Sequence, residues 1–358
     1  MYKEPGICIS GIGVVSPLGE RVSENWESLK SGRCAPVPEI RGFIPSDYVK
    51  RRYLKPLDDV AVRCIAMTRV AMQDSGVDPL DIDPARVGVV VGSMFAGVGC
   101  IFQFKQDCYE AKQDNYLDLS PTYFPGIAFN SLSGQPAIEF GYTGPNSVVN
   151  AGFASGLLAV IKGLELIRSG KADVVIAGGA EMSHTFIRQK FSVLRNSSSV
   201  GLMGSNFQPS EAVCLFVLHK EDDQRFSRSR VYGMVQGWRY GFMPEGCSPD
   251  SVSRAIRSIP GINEDDVRAV VASSYGNSPL SEVEDTAVQQ LLGANPSILL
   301  RNKENFGHAL GASSGLDLFH GLMYSREELA NKGTVLVNAL DPGGNYAFVT
   351  LRSEGHFS

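Results

Sequence analysis

A stretch near the middle of the chain has the layout in which proteins often present a reactive side chain. Residues 148–156 form a short β-branched run that ends in small residues. A helix is predicted directly after it, because apolar residues recur at helical spacing, at Leu157, Val160, Ile161, Leu164 and Ile167. A thiol placed at this helix N-terminus would have a lowered pKa and would act as a nucleophile. The residue there is Phe153, which can neither ionise nor attack.

A lysine and a histidine, Lys303 and His308, form a second candidate group and are also followed by small residues. An imidazole can exchange a proton near neutral pH, although a single histidine among small residues is more often structural. Ser155 lies two positions after Phe153 and has a hydroxyl, but nothing in the sequence supplies it with a base.

Strands and helices alternate around these groups. Buried strands are predicted near residues 7–15, 86–92, 173–181, 212–218, 267–272, 334–337 and 346–351. Helices are predicted at 58–75 and 128–140, and residues 102–116 and 191–209 are predicted to be an irregular insert and a loop. This alternation predicts an α/β protein with a mostly parallel sheet covered on both faces.

The second part of the chain repeats the order of predicted strands and helices found in the first. Residues 261–274 parallel 76–93, and residues 297–321 parallel 146–163. The charged segment 219–230 separates the two copies. We therefore expect two halves, residues 1–225 with Phe153 and residues 226–358 with Tyr275, Lys303 and His308.

Composition limits the partners and the compartment. The net charge is −5 without a long basic run, which makes nucleic acid an unsuitable partner. Seven scattered cysteines form no Cys-x-x-Cys pair, so we expect a reducing compartment, no disulfide framework and no metal site. No apolar run reaches the ~20 residues of a membrane span, and the first residues lack a signal-peptide layout. We expect a cytoplasmic protein without a cofactor.

Several segments together resemble the β-ketoacyl synthases, condensing enzymes of the thiolase fold. The matching residues around the central turn are Gly144-Pro145, Ala154-Ser155-Gly156, Ala172-Asp173-Val174 and Gly178-Gly179-Ala180-Glu181. The resemblance implies two pseudo-symmetric βαβ-type halves in a five-layered α/β/α/β/α arrangement. It also places the nucleophilic cysteine of the family at Phe153.

Other active-site motifs of the family are retained only in part. Lys303 and His308 match the family motif Lys-x-Asn-x-Gly-His, which implies that both line the region that forms the active site in the family. The first histidine of the family falls on Tyr275, a poor proton shuttle near neutral pH. The mobile phenylalanine of the gate loop is replaced by Pro342, followed by Gly343 and Gly344, so that we expect a stiffer loop.

The resemblance is strongest to the chain length factors of type II polyketide systems. Such subunits lack the active cysteine, pair with an active ketosynthase in a heterodimer, and shape its tunnel. We expect tunnel or interface contacts from Tyr123, and also from Phe124 and Phe129. Acyl carrier protein would be bound through the complex. The degenerate motifs resemble the divergent partners of bacterial polyene pathways, such as aryl polyene pathways.

Two other functions stay open. The chain could be an independent hydrolase, acyltransferase or decarboxylase that uses His308 and Lys303 without a covalent intermediate. It could also be a homodimeric scaffold or regulator.

Overall fold

The computed structural model describes residues 6–50, 57–110, 121, 124–194, 204, 207–293, 298–330 and 332–352. Ten strands within these residues form one sheet. They are β1 (Ile7–Val15), β2 (Val87–Gly92), β3 (Asn146–Val149), β4 (Val174–Glu181), β5 (Ala212–Lys220), β6 (Gly233–Phe242), β7 (Val267–Val271), β8 (Ile298–Leu300), β9 (Thr334–Leu340) and β10 (Asn345–Arg352). Their order in the sheet is β3-β2-β4-β5-β1-β6-β10-β9-β7-β8.

The helices lie between these strands. Those described are α1 (Val22–Lys30), α2 (Asp59–Ser75), α3 (Val98–Glu110), α4 (Phe124–Ile127), α5 (Ser131–Phe140), α6 (Ser155–Arg168), α7 (Thr185–Leu194), α8 (Pro249–Arg257), α9 (Pro279–Leu292), α10 (Lys303–Phe306) and α11 (Ser313–Glu327). In the described part of the chain, no helix is long and apolar enough to cross a membrane.

The sheet folds around two central helices, α6 and α11, which contact each other. The central core contains side chains from both helices and from strands on both sides, for example Leu157, Leu318, Val90 and Val337. A second core lies between the first five strands and α2 with α5, and a third lies between β7, β9 and β10 and the helices α8 and α9. The five layers expected from the resemblance are therefore present.

Alternation of side chains explains how one strand serves two cores. In β2, Val87, Val89 and Val91 join the outer core, whereas Val90 points into the central one. Strand β3 runs parallel to β2, with Val148 opposite Val91. The two strands end at the same edge of the sheet, where the turn that follows β3 lies.

Close backbone packing brings the N-termini of α6 and α11 together. A Cβ at Gly156 would lie 3.0 Å from the backbone nitrogen of Gly315, so the helices could not approach in this way with larger residues. The N–H of Leu157 also donates to the hydroxyl of Ser314 at 3.0 Å. As a result, the turn before α6 and the loop before α11 face each other.

The prediction of a mostly parallel sheet was wrong. The parallel pairings lie at the two ends of the sheet, in β4-β2-β3 and β9-β7-β8. The strands between β4 and β9 pair in antiparallel fashion, because β9 and β10 form a hairpin and β1 lies between β5 and β6. Strand β6 was not predicted, since it follows directly on the charged segment.

Three local predictions also differ from the structure. The insert at 102–116 is helical as far as Glu110, and residues 191–194 of the predicted loop 191–209 belong to the end of α7. The helix predicted from residue 128 begins at Ser131, after the separate helix α4. The proposed boundary between residues 225 and 226 falls inside the turn Gln224–Phe226 and stays a prediction.

Candidate functional site

The turn between β3 and α6, residues 150–155, is here called the elbow. Gly152 adopts a φ of +59°, a left-handed conformation that glycine tolerates without strain. The hydroxyl of Ser155 donates to the carbonyl of Gly152 at 2.6 Å and accepts from the N–H of Ala151 at 2.9 Å. Ser155 is buried, and its hydroxyl holds the elbow together.

Phe153 stands at the tip of the elbow and is only 6 % exposed. Its ring centroid lies 4.1 Å from that of His308 and 5.8 Å from that of Phe207. Ile187, Leu310 and Phe191 complete an apolar cluster around it. The space between the elbow and the loop before α11 is therefore filled by hydrocarbon side chains.

The backbone of the elbow is bound by a carboxylate. The N–H of Phe153 donates to Oδ1 of Asp341 at 2.9 Å, and the N–H of Gly343 donates to Oδ2 at 2.8 Å. A Cβ at Gly152 would overlap Oδ1, so the absence of a side chain at Gly152 makes room for Asp341. Burial raises the pKa of Asp341, while these two N–H groups act to lower it.

His308 is buried in the loop between α10 and α11. Its Nδ1 accepts from the N–H of Leu310 at 3.0 Å and lies 3.1 Å from the hydroxyl of Ser313. A backbone N–H can only donate, so the proton of the neutral ring is on Nε2. Burial and the positive charge of Lys303 hold the pKa of His308 well below its usual range. The imidazole is therefore neutral and suited to donate a hydrogen bond.

Lys303 is paired with an acidic residue behind the histidine. Its Nζ lies 2.8 Å and 2.7 Å from the two carboxylate oxygens of Asp317 and 3.3 Å from the carbonyl oxygen of Ala272. Burial raises the pKa of Asp317 to about 6, against the opposing effect of Lys303. The ammonium acts on His308 through its electric field, while its hydrogen bonds go to Asp317 and to the carbonyl of Ala272.

Tyr275 lies at the margin of this group and is half-buried. Phe207, which the sequence reasoning missed, lies between Tyr275 and His308, with ring centroids 6.4 Å and 5.0 Å away. Burial raises the pKa of Tyr275, so its phenol stays protonated near neutral pH. In the sequence, Phe207 is distinguished only as a large aromatic residue within a segment rich in serine and asparagine.

The predicted gate loop is the turn of the β9–β10 hairpin. The N–H of Gly344 donates to the carbonyl of Asp341 at 2.8 Å, and the N–H of Asp341 donates to the carbonyl of Asn345 at 2.9 Å. Pro342 and Gly343 stand at the two corners of this turn. Two hydrogen bonds and a proline make a closed hairpin turn.

Of the three aromatic residues predicted to contact a partner, Tyr123 lies outside the described residues. Phe124 is 61 % exposed, with its ring 6.1 Å from that of Phe104. Phe129 is half-buried and packs against the outer core beside α2 and α5.

A buried carboxylate, Glu181 at the end of β4, connects the two sides of the site. It accepts from the N–H groups of Met94 at 2.7 Å, Phe95 at 3.1 Å and Gly311 at 3.2 Å, and from the hydroxyl of Ser93. Burial raises the pKa of Glu181 to about 7, despite these donors. Sequence reasoning noted Glu181 only as part of a motif.

The arrangement gathers Phe153, Lys303 and His308 in one place, with Tyr275 at its margin. It offers a neutral imidazole as a hydrogen-bond donor, and among the described residues the elbow side chain that lies against this imidazole is the ring of Phe153 and not a thiol. Among the described residues, no group of three or more His, Cys, Asp or Glu side chains could hold a metal ion.

Comparisons with known proteins agree with this fold. Residues 47–212 match the model of the beta-ketoacyl synthase N-terminal domain. The chain is 29% identical over 380 residues to 3-oxoacyl-[acyl-carrier-protein] synthase 2 of Coxiella burnetii, covering 96% of this chain and 91% of that protein. It is 27% identical to the tetracenomycin polyketide synthase ketoacyl synthase alpha subunit of Streptomyces glaucescens, covering 88% of this chain and 84% of that one.

A solved structure described as the ishigamide ketosynthase/chain length factor matches with a TM-score of 0.85 at 19% identity, covering 99% of this chain and 100% of that one. A beta-ketoacyl synthase from Burkholderia phymatum matches with a TM-score of 0.83 at 17% identity, covering 98% and 100%. The predicted thiolase-like α/β fold is thus confirmed.

Proposed function

We propose that this chain, whose fold and sequence relatives are those of the β-ketoacyl synthase family, is a chain-length-factor-like subunit. In this role it pairs with an active ketosynthase and leaves acyl transfer and condensation to that partner. The observation that carries the proposal is the elbow itself. Phe153 stands where the family has its cysteine, and its ring lies 4.1 Å from His308.

The remaining polar groups support the same function. Condensation needs a thiolate to hold the acyl chain and donors for the charge that develops when the malonyl unit loses CO₂. His308 can supply one such donor, but Tyr275 replaces the first histidine of the family and Phe153 replaces the thiolate. Removal of one member of a catalytic group already costs most of the rate.

The open edge of the sheet supports the pairing. Within the described residues, β3 has a strand neighbour on one side only, and its residues are half-buried or exposed. Beside it, Ile138 of α5 is 66 % exposed. An open strand edge with apolar neighbours is a common site for association of subunits. The structural similarity to the ishigamide ketosynthase/chain length factor supports the same assignment.

The substrate and the carrier are part of this proposal. The partner would elongate an acyl chain of polyketide type, such as an aryl polyene precursor, in a tunnel that this chain helps to close. Acyl carrier protein would bind to the complex. A solved structure of a type II polyketide acyl-carrier protein in complex with its ketosynthase matches this chain with a TM-score of 0.80, which supports that partner.

An independent hydrolase, acyltransferase or decarboxylase is the second candidate. Its required groups are His308 and Lys303, but Lys303 donates to Asp317 and a phenylalanine ring lies against His308. Neither arrangement leaves a base beside a substrate space, which favours the subunit function.

Co-expression with an intact ketosynthase from the same genome tests the proposal. We expect a stable one-to-one complex in size-exclusion chromatography, with elongation by the complex and none by this chain alone. A homodimer with its own turnover would contradict the proposal.

A further inference from the structure

The hydrogen bond between Asp341 and the elbow bears on acyl transfer separately from the absence of a cysteine at position 153. We propose that the Asp341 carboxylate occupies the hydrogen-bond donor of the elbow, so that this chain rejects acyl thioesters even when a nucleophile is restored at position 153. The inference rests on the proposed function, since it explains how this subunit leaves the acyl group to its partner.

The argument begins with the direction of charge in acyl transfer. When a thiolate at an elbow attacks a thioester, a new S–C bond forms and the carbonyl oxygen becomes negative. Backbone N–H groups that point at this oxygen stabilise it, and the N–H of the nucleophilic residue is the nearest of these donors. The donor S–C bond then breaks, and the leaving thiolate takes up the proton that the attacking thiol released.

In this chain that N–H already has a partner. Oδ1 of Asp341 lies 2.9 Å from the nitrogen of Phe153, at normal hydrogen-bond distance. The resident group is a carboxylate, so it both occupies the donor and places negative charge where the oxyanion would develop. An incoming carbonyl oxygen would have to displace it.

The surrounding backbone is shaped for this carboxylate. Gly343 holds the other oxygen at 2.8 Å, and Gly152 leaves the space that Oδ1 fills. Pro342, the residue next to Asp341, has no N–H with which to replace the lost donor. Because Gly152 leaves room for the Asp341 carboxylate, we infer that the fold is shaped to make the Asp341–Phe153 hydrogen bond.

Acylation of engineered forms of the isolated chain tests the inference. The probe is the octanoyl thioester of N-acetylcysteamine, and the readout is the rate of octanoyl adduct formation at position 153 and at the native cysteines by peptide mass spectrometry. Four forms are compared: Phe153→Cys, Phe153→Cys with Asp341→Gly, Phe153→Cys with Asp341→Asn, and Asp341→Gly alone. The last form measures the background from the native cysteines.

We expect Phe153→Cys to load no faster than a surface thiol, and the added Asp341→Gly to accelerate loading at least tenfold. Asp341→Asn keeps an oxygen that can accept the N–H but removes the charge, so we expect an acceleration below that of glycine. Equal loading rates with and without the Asp341→Gly substitution would overturn the inference. Rapid loading of the Phe153→Cys form would also overturn it, even if the Asp341 variants failed to fold.

These outcomes are separate from a failure of the proposed function. Pairing with a ketosynthase is judged on the unmodified chain in the complex, whereas blocking by Asp341 is judged on loading of the isolated chain. A chain that pairs normally but loads rapidly as Phe153→Cys would keep the function and lose this inference.

Discussion

The rings of Phe153 and His308 lie against each other at an interplanar angle of 48°, with centroids 4.1 Å apart. Each ring comes from the loop before one of the two central helices, so the contact joins the turn before α6 to the loop before α11. Phe207 covers both rings. The tip of the elbow is thus part of an apolar cluster that lies against the imidazole.

The first prediction concerns the missing nucleophile. Phe153→Cys alone should not restore condensation, because Tyr275, Pro342 and the carboxylate of Asp341 remain. The measurement is a single-turnover reaction in which an acyl donor is added first and malonyl carrier protein second. Formation of an elongated product by this variant would contradict the prediction.

The second prediction concerns the buried pair Lys303–Asp317. Lys303→Met leaves a buried carboxylate without its partner, which should lower the free energy of unfolding by about 3–5 kcal/mol. Urea denaturation measures the loss. The matched control is Arg257→Met, which breaks the partly exposed pair with Glu264 and should cost at most about 1 kcal/mol. Similar losses in both variants would contradict the burial argument.

The third prediction concerns the pH dependence of stability. The folded protein holds a proton on Glu181 up to about pH 7, because burial raises the pKa of this carboxyl, whereas the unfolded chain releases it near pH 4.5. The folded state therefore binds more protons between these pH values, and the contribution of Glu181 to the free energy of unfolding falls as the pH rises through them. The fall amounts to roughly 3 kcal/mol over the window.

Urea denaturation of wild type and Glu181→Gln at a series of pH values measures this contribution. The glutamine variant should be less stable at pH 4.5 and should regain part of the difference by pH 7.5. The control Glu282→Gln, on the exposed face of α9, should follow the wild-type curve. A wild-type slope in Glu181→Gln would refute the prediction.

The fourth prediction concerns the interface. Ile138→Arg should weaken the complex with the ketosynthase at least tenfold, because it places a charge beside the open β3 edge. Ile298→Arg is a matched control, since Ile298 is 51 % exposed on β8 at the opposite edge of the sheet. Analytical ultracentrifugation of the mixed subunits gives both dissociation constants. Equal effects of the two substitutions would exclude the β3 edge as the interface.

Much of the fold could be predicted from short-range patterns. The β-branched runs that became β2, β4 and β5 are buried on both faces, so they read as continuous apolar segments. Strand β6 was missed because its exposed half contains arginine, tyrosine and glycine. The direction of the central strands was also missed, since it depends on long-range pairing with β1.

The candidate site was predictable where a motif fixed it. Phe153, Lys303 and His308 were found because each lies in a recognisable local pattern. The roles of Phe207 and Asp341 depend on contacts between residues far apart in the sequence, such as Phe153 and Asp341 at a sequence separation of 188. No local spacing reveals such contacts.

The most direct test of the central claim uses the complex with the nucleophilic cysteine of the partner replaced by alanine. If this chain is a subunit that leaves condensation to its partner, the complex should still form but elongation should stop, and no acyl adduct should appear on this chain in intact mass spectra. Continued elongation, or an acyl adduct on this chain, would contradict the account.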